Sequence, residues 1–179
     1  MVKSDGTPTP DNATPEDVDV LAAAREIALH RLETRDYSRA ELARYLERRG
    51  VAEAVANEVM DRLESVGLVD DSRFALSWAQ SRMRSRGLAK SAIAAELREK
   101  GIDRDLIDQA LVSIDDGAEL AAARCVGRRR LSTVQGLPRA VAYRRLAGVL
   151  ARRGYGAAVV ARVVHELLDA PETTDSPDV

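Results

Sequence analysis

Arginine side chains are the most prominent chemistry-bearing groups in this sequence, and they concentrate toward its C-terminal end. Residues 118–169 contain ten arginines and only three acidic residues. Three of these arginines are consecutive, from Arg128 to Arg130. Guanidinium groups bind phosphate oxygens through charge-assisted hydrogen bonds, and such contacts carry no information about base identity. The pattern therefore indicates a surface that binds a polyanion without sequence preference.

A second interpretation covers part of this charge. Several cations fall in the last turns of predicted helices, where the helix dipole favours a positive charge by about 0.3 to 1 kcal/mol each. They are Arg48, Arg49, Lys100, Arg152 and Arg153. Helix-end complementarity explains neither the run of three arginines nor the scarcity of acids around it. The candidate binding residues are Arg128, Arg129, Arg130, Arg144, Arg145 and Arg152.

No catalytic arrangement is recognisable in the sequence. His30 and His165 each lie on a predicted helix without a second ligand three or four residues away, so metal binding is not expected. Cys125 has basic neighbours, but a single buried thiol in a small helical core is the simpler interpretation. Glycine-rich phosphate loops and acidic clusters spaced for Mg²⁺ are also missing. We therefore expect a binding protein that is not an enzyme and uses no cofactor.

A pattern of helix, glycine and second helix occurs three times and must position these arginines. In its clearest copy, Ile93 and Leu97 share one face of a helix that ends at Gly101. Similar copies surround Gly50, 51 residues earlier, and Gly154, 53 residues later. One more helical segment precedes each copy, at roughly residues 20–34, 71–85 and 117–131. The period predicts an all-α protein of three tandem three-helix repeats.

The predicted domains follow from this period. The first 18 residues and the last ten are rich in acidic residues, proline, serine and threonine, a composition too polar to bury a core. We therefore predict a disordered acidic tail at each end. The expected segments are an N-terminal tail at 1–18, repeats at 19–69, 70–116 and 117–169, and a C-terminal tail at 170–179.

Local signals support the helix positions. Ser38 and Glu41 have the spacing of a capping box, which predicts a helix start at Ser38. Phe74 and Trp78 are four residues apart and therefore share a helix face, which favours a place in the core of the second repeat. An exposed aromatic anchor at a protein interface is the alternative interpretation of this pair.

The composition indicates which cellular compartment suits the protein. Hydrophobic residues make up 45% of the chain, whereas aromatic residues make up 3%, which suits small helical cores. The single cysteine excludes an intramolecular disulfide and is typical of a reducing compartment. Neither a signal peptide nor an apolar run of about 20 residues is recognisable. We expect a cytoplasmic protein that does not bind membranes.

The order and spacing of these residues resemble the RecX family of bacterial regulatory proteins, over roughly residues 20–169. Each motif alone is weak, but together and in order they are specific. The first repeat contributes Tyr37-Ser38-x-x-Glu41-Leu42 and Leu46-x-x-x-Gly50-Val51. The second repeat contributes Asp70-Asp71-x-x-Phe74-Ala75-x-x-Trp78, Gly87 and Glu96-Leu97-x-x-Lys100-Gly101-Ile102.

The resemblance implies an elongated, curved rod of three-helix repeats that binds the RecA recombinase. Such proteins lie in the groove of the RecA filament on DNA and inhibit its ATPase and strand-exchange activities, which modulates DNA repair and the SOS response. The partners implied are RecA and its filament on DNA. From the residues themselves we expect a monomer with weak, sequence-independent DNA binding, in which the six candidate arginines face the filament or its DNA. The alternative is an autonomous, sequence-independent DNA-binding protein whose repeats act as helix-turn-helix domains.

Overall fold

A computed structural model describes residues 15–170, with side chains from residue 18 onward. Over these residues the chain is helical and contains no strand, so the predicted all-α class is confirmed. A short 3-10 turn, Leu131–Thr133, lies between the seventh and eighth α-helices. The α-helices are α1 (Pro15–Leu32), α2 (Arg39–Arg48), α3 (Glu53–Ser65), α4 (Asp71–Arg86), α5 (Lys90–Glu99), α6 (Arg104–Val112), α7 (Asp116–Arg128), α8 (Arg139–Ala151) and α9 (Ala157–Asp169).

Each group of three helices builds its own hydrophobic core, as the repeat pattern predicts. Leu42 and Leu46 of α2 lie at the centre of the first core, and Ile93 and Leu97 of α5 occupy the same place in the second. The third core surrounds α8, and it contains more buried aliphatic side chains than either of the other two cores. The fold divides after Asp70 into two compact units, of which the first contains α1–α3 and the second contains α4–α9. The elongated, curved shape and the limits given above for the three repeats stay predictions.

The glycine turns of the three copies are confirmed. Gly50, Gly101 and Gly154 have φ angles of +85°, +78° and +87°, a region that favours glycine because it has no Cβ. In each copy the amide after the glycine donates to a carbonyl five residues earlier, which is the hydrogen bond of a Schellman motif. The pairs are Val51 to Leu46 (3.1 Å), Ile102 to Leu97 (3.1 Å) and Tyr155 to Leu150 (3.3 Å).

Two helix limits differ from the approximate positions predicted from the sequence. The first helix begins at Pro15 and not near residue 20, so the predicted tail limit at residue 18 falls inside α1. Proline followed by acidic residues favours a first helical turn, because proline lacks an N–H that would be unpaired there. Helix α7 ends at Arg128, three residues before the predicted end, and the 3-10 turn replaces its continuation. The remaining tail residues, 1–14 and 171–179, lie outside the described residues.

None of the helices between residues 15 and 170 is both long enough and apolar enough to cross a membrane.

Candidate functional site

Two acidic residues of the third helix group, Glu166 and Asp169, are engaged by arginine side chains. Glu166 accepts hydrogen bonds from Arg124 (Nε to Oε2, 2.7 Å) and from Arg162 (Nε to Oε1, 3.0 Å). These two arginines lower the pKa of Glu166 to about 2. Asp169 pairs with Arg139 at 2.6 Å. The acids therefore neutralise arginines that are not among the six candidates.

All six candidate arginines are exposed, and none of them forms an ion pair with another residue between 18 and 170. Their charge thus stays available to an external anion. Because the chain's acids in this group are engaged elsewhere, the surface that carries these arginines is positive. The candidates are Arg128, Arg129, Arg130, Arg144, Arg145 and Arg152.

Three of the six lie on the exposed side of α8 and at its C-terminal end, where Arg152 is the C-cap residue. Leu146 and Leu150 turn the opposite face of this helix into the core, where both side chains are buried. Helical spacing places Arg145 and Arg152 seven residues apart on the exposed side, with Gly148 between them. A Cβ added at Gly148 would lie 3.3 Å from Nη1 of Arg152, so this guanidinium folds back over the glycine. We call Arg144, Arg145 and Arg152 the α8 arginine face.

The consecutive run of arginines lies at the C-terminal end of α7. Arg128 is the last residue of α7, while Arg129 and Arg130 follow it. Arg129 lines a small cavity of about 200 Å³ between α4 and α7, opposite Arg84. Arg128 and Arg130 are exposed and are not among the residues that line this cavity.

Cys125 lies in the same cavity and is exposed. The interpretation of this residue as a buried core thiol is therefore wrong. The physical reason is that α7 turns Ala123 and Val126 into the core, which leaves Cys125 on the side that faces the cavity and solvent. Over the described residues no group of three or more histidine, cysteine or acidic side chains could hold a metal ion.

Sequence reasoning missed an aromatic residue beside the α8 arginine face. Arg139, Ala140, Tyr143 and Arg144 line an open hollow of about 770 Å³. The ring of Tyr143 lies 5.4 Å from the ring of His165 at an angle of 53°, so α9 braces it. The sequence did contain a signal for this hollow, because Tyr143 lies between Arg139 and Arg144. This spacing places the three side chains on adjacent faces of one helix.

The second helix group fixes the C-terminal end of α8, and with it Arg152. The Ala89 amide donates to the Arg153 carbonyl (2.9 Å), and the Ser91 hydroxyl donates to the Gly154 carbonyl (2.6 Å). The buried Tyr155 hydroxyl donates to the Gly87 carbonyl at 3.0 Å. Burial, followed by the charge of Glu119, raises the pKa of Tyr155 to about 12, so this donor stays protonated at neutral pH.

The aromatic pair of the second group divides between core and surface. Phe74 is buried and stacks on the half-buried Trp78 with ring centroids 5.6 Å apart. The Trp78 indole donates to Glu96 (2.9 Å), which also accepts from Arg82 (2.7 Å). Arg82 and Lys100 lie 3.8 and 4.1 Å from the indole ring centroid. The core prediction is confirmed for Phe74, whereas Trp78 lies at the margin under a layer of cations.

Comparison with known proteins identifies the chain's relatives. The family model described as "RecX, first three-helix domain" matches residues 24–63, and "RecX, second three-helix domain" matches residues 70–111. The regulatory protein RecX of Thermobifida fusca is 42% identical over 167 residues, which cover 93% of this chain and 90% of that protein. Its namesake from Mycobacterium tuberculosis strain H37Ra is 46% identical over 145 residues, covering 79% and 83%.

Solved structures share the fold. The crystal structure of RecX from Lactobacillus salivarius superposes with a TM-score of 0.77 at 18% identity, over 86% of this chain and 99% of that one. A second crystal structure, of a regulatory protein RecX, gives a TM-score of 0.76 at 17% identity over 87% and 81%. At this identity the structural likeness supports the arrangement of helices, and the close relatives support the family.

Proposed function

The chain belongs to the RecX family, and from this premise we propose that it regulates the RecA recombinase by binding the RecA filament on DNA and inhibiting ATP hydrolysis and strand exchange. The observation that supports this proposal is the α8 arginine face, whose guanidinium groups are exposed and have no carboxylate partner between residues 18 and 170. A filament of protein on DNA is a polyanion with a regular repeat, which suits such a face.

We propose that the protein binds the RecA filament through several contacts that are each weak. Each helix group has its own core and so presents its own rigid surface. Contacts made by linked surfaces reinforce one another, because the second contact forms at a high effective concentration. Inhibition follows if the bound protein holds RecA subunits in a state that cannot turn over. The chain itself needs no catalytic group for this action.

The test is ATP hydrolysis by RecA on single-stranded DNA, titrated with this protein. We expect inhibition at ratios well below one molecule per RecA subunit. The triple variant Arg144→Gln, Arg145→Gln, Arg152→Gln should raise the half-inhibitory concentration at least about tenfold, since each charge-assisted contact is worth about 1.5 to 3 kcal/mol. No inhibition by the unaltered protein would contradict the proposal.

A matched control removes the same charge from other helices. The variant Arg62→Gln, Arg98→Gln, Arg104→Gln also loses three exposed arginines, none of which lies in the third helix group. We expect it to inhibit as well as the unaltered protein. Equal loss in both triple variants would mean that net charge matters and the α8 arginine face does not.

The second candidate function is autonomous, sequence-independent DNA binding by the three-helix groups. The same exposed arginines favour it, because phosphates would bind them whether or not RecA is present. This function predicts tight and strongly salt-dependent DNA binding by the isolated protein. It also predicts that hydrolysis falls only when the protein saturates the DNA. A DNA-binding titration without RecA, run beside the ATPase assay, separates the two functions.

A further inference from the structure

The hollow beside the α8 arginine face combines an aromatic wall with cations. Tyr143 is half-buried and is supported from α9 by His165. Arg139 and Arg144 line the hollow together with this ring, and Ala140 contributes only a methyl group to it. The hollow therefore offers a flat apolar surface flanked by guanidinium groups.

The two arginines differ in whether a carboxylate already pairs with them. Arg139 is held by Asp169, with Nη2 and Oδ1 2.6 Å apart. Arg144 is exposed and has no carboxylate partner among residues 18 to 170. Asp169 is the acidic residue seen next to this hollow, and its pairing with Arg139 neutralises it. A ligand that reaches Tyr143 thus finds an available cation beside it.

We propose that Tyr143 is a stacking platform for an unpaired nucleobase, and that Arg144 binds the adjoining phosphate. The α8 arginine face then selects a single strand of nucleic acid over a duplex. An aromatic ring can stack on a base only where the base is not already stacked within a helix, whereas phosphates are exposed in both forms. The inference deepens the proposed function, on which it rests, by naming the ligand of the same site.

A second tyrosine among arginines serves as the internal comparison. Tyr45 on α2 is half-buried, with Arg31 and Arg49 lying 4.9 and 5.2 Å from its ring centroid. Arg49 also donates to the Tyr45 hydroxyl at 2.9 Å. Cations of the chain already lie against this ring, so Tyr45 is a poor platform for a base. The two residues therefore differ in what surrounds them and not in residue type.

The experiment measures binding of the full chain, without RecA, to two fluorescently labelled strands by anisotropy. One is an oligothymidylate of 20 nucleotides, and the other is an abasic strand with the same number of phosphates. We expect the unaltered protein to prefer the base-bearing strand by about 5- to 150-fold, the range of one stacked base. Tyr143→Ala should remove this preference and leave affinity for the abasic strand unchanged.

Further variants separate stacking from packing and charge. Tyr143→Phe should keep the preference because the ring remains. Tyr143→Leu fills similar space against the third core without a π face, and should lose the preference even if the alanine variant folds poorly. Arg144→Gln should weaken binding to both strands equally. Tyr45→Ala should behave like the unaltered protein.

Two results would overturn the inference. One is equal affinity of the unaltered protein for the two strands, and the other is a preference for the base-bearing strand that Tyr143→Ala and Tyr143→Leu both retain. RecA inhibition, measured on the same variants, reports on the proposed function separately. Inhibition without any base preference leaves the proposed function standing and rejects the platform. A preference for the base-bearing strand without inhibition of RecA would support the stacking platform and reject the proposed function.

Discussion

Gly154, in the turn that follows α8, lies against the first turn of α5. A Cβ added there would lie 2.8 Å from the Cβ of Ala92 and 3.0 Å from its backbone nitrogen. The φ angle of +87° independently disfavours any other residue. Gly154 therefore serves both as the helix end and as the contact that positions Arg152.

Replacing Gly154 with alanine should destabilise the second compact unit by roughly 2 to 4 kcal/mol. The left-handed conformation alone costs about 1 to 2 kcal/mol, and the clash with Ala92 adds to it. Gly136→Ala is the control, because its φ is +72° and no atom lies within 4 Å of the added Cβ. Urea unfolding followed by Trp78 fluorescence measures both. Equal losses would show that the close approach contributes nothing.

The lowered pKa of Glu166 predicts that the stability of the third helix group falls at acid pH. Arg124 and Arg162 lower its pKa from 4.5 to about 2 in the folded protein. A lowered folded pKa stabilises the protein above the unfolded value, so this contribution is present above pH 4.5 and is lost as the pH falls toward 2. Glu166→Gln should flatten the fall in unfolding free energy across this window. Parallel curves for the two proteins would contradict the assignment.

At the scale of elements, helix α2 shows how a short sequence signal sets a boundary. The buried Ser38 hydroxyl accepts from the Glu41 amide at 3.1 Å. The Glu41 carboxylate in turn accepts from the Ser38 amide at 3.4 Å. Both halves of the predicted capping box are thus present. The helix begins where these two residues indicate because they satisfy amides that the first turn leaves unpaired.

Ser38→Ala should lower the unfolding free energy of the first compact unit by about 1 to 2 kcal/mol, since an amide loses its partner in a buried place. Ser65→Ala is the matched control, because the exposed Ser65 hydroxyl donates to the Arg62 carbonyl in the last turn of α3. We expect less than about 0.5 kcal/mol from it. Thermal and urea unfolding followed by circular dichroism measure the difference. Equal effects would remove the capping box as the cause.

At the scale of the whole molecule, charge is divided unevenly among the helix groups. Residues 21–69 and 70–117 each carry eight basic and nine acidic side chains, whereas residues 118–169 carry ten and three. The net charge of −2 hides this division. An anion that meets the protein is therefore attracted to the third group and not to the molecule as a whole.

Binding of the full chain to single-stranded DNA should depend on salt through this group. Each phosphate contact contributes about 0.7 to the slope of log affinity against log salt concentration. Neutralising the α8 arginine face with three glutamines should lower the slope by about 2. The control triple variant at Arg62, Arg98 and Arg104 should leave it unchanged. The same decrease in both variants would mean that the net charge of the chain, and not the α8 arginine face, sets the slope.

The sequence by itself determined the local structure of this protein. Glycines with positive φ, a capping box and apolar residues at helical spacing act over a few residues, so Gly50, Gly101, Gly154 and Ser38 could be interpreted without a fold. The motifs built from the same residues also sufficed to identify the family, which the relatives confirm.

Only the tertiary structure decided which arginines remain available and what lies beside them. Arg124 and Arg139 could not be separated from Arg144 in the sequence, because their partners Glu166 and Asp169 are 42 and 30 residues away. The exposure of Cys125 and the hollow at Tyr143 likewise depend on how α7, α8 and α9 pack. Ion pairs and hollows arise from contacts between distant segments, and periodicity within one helix carries no information about them.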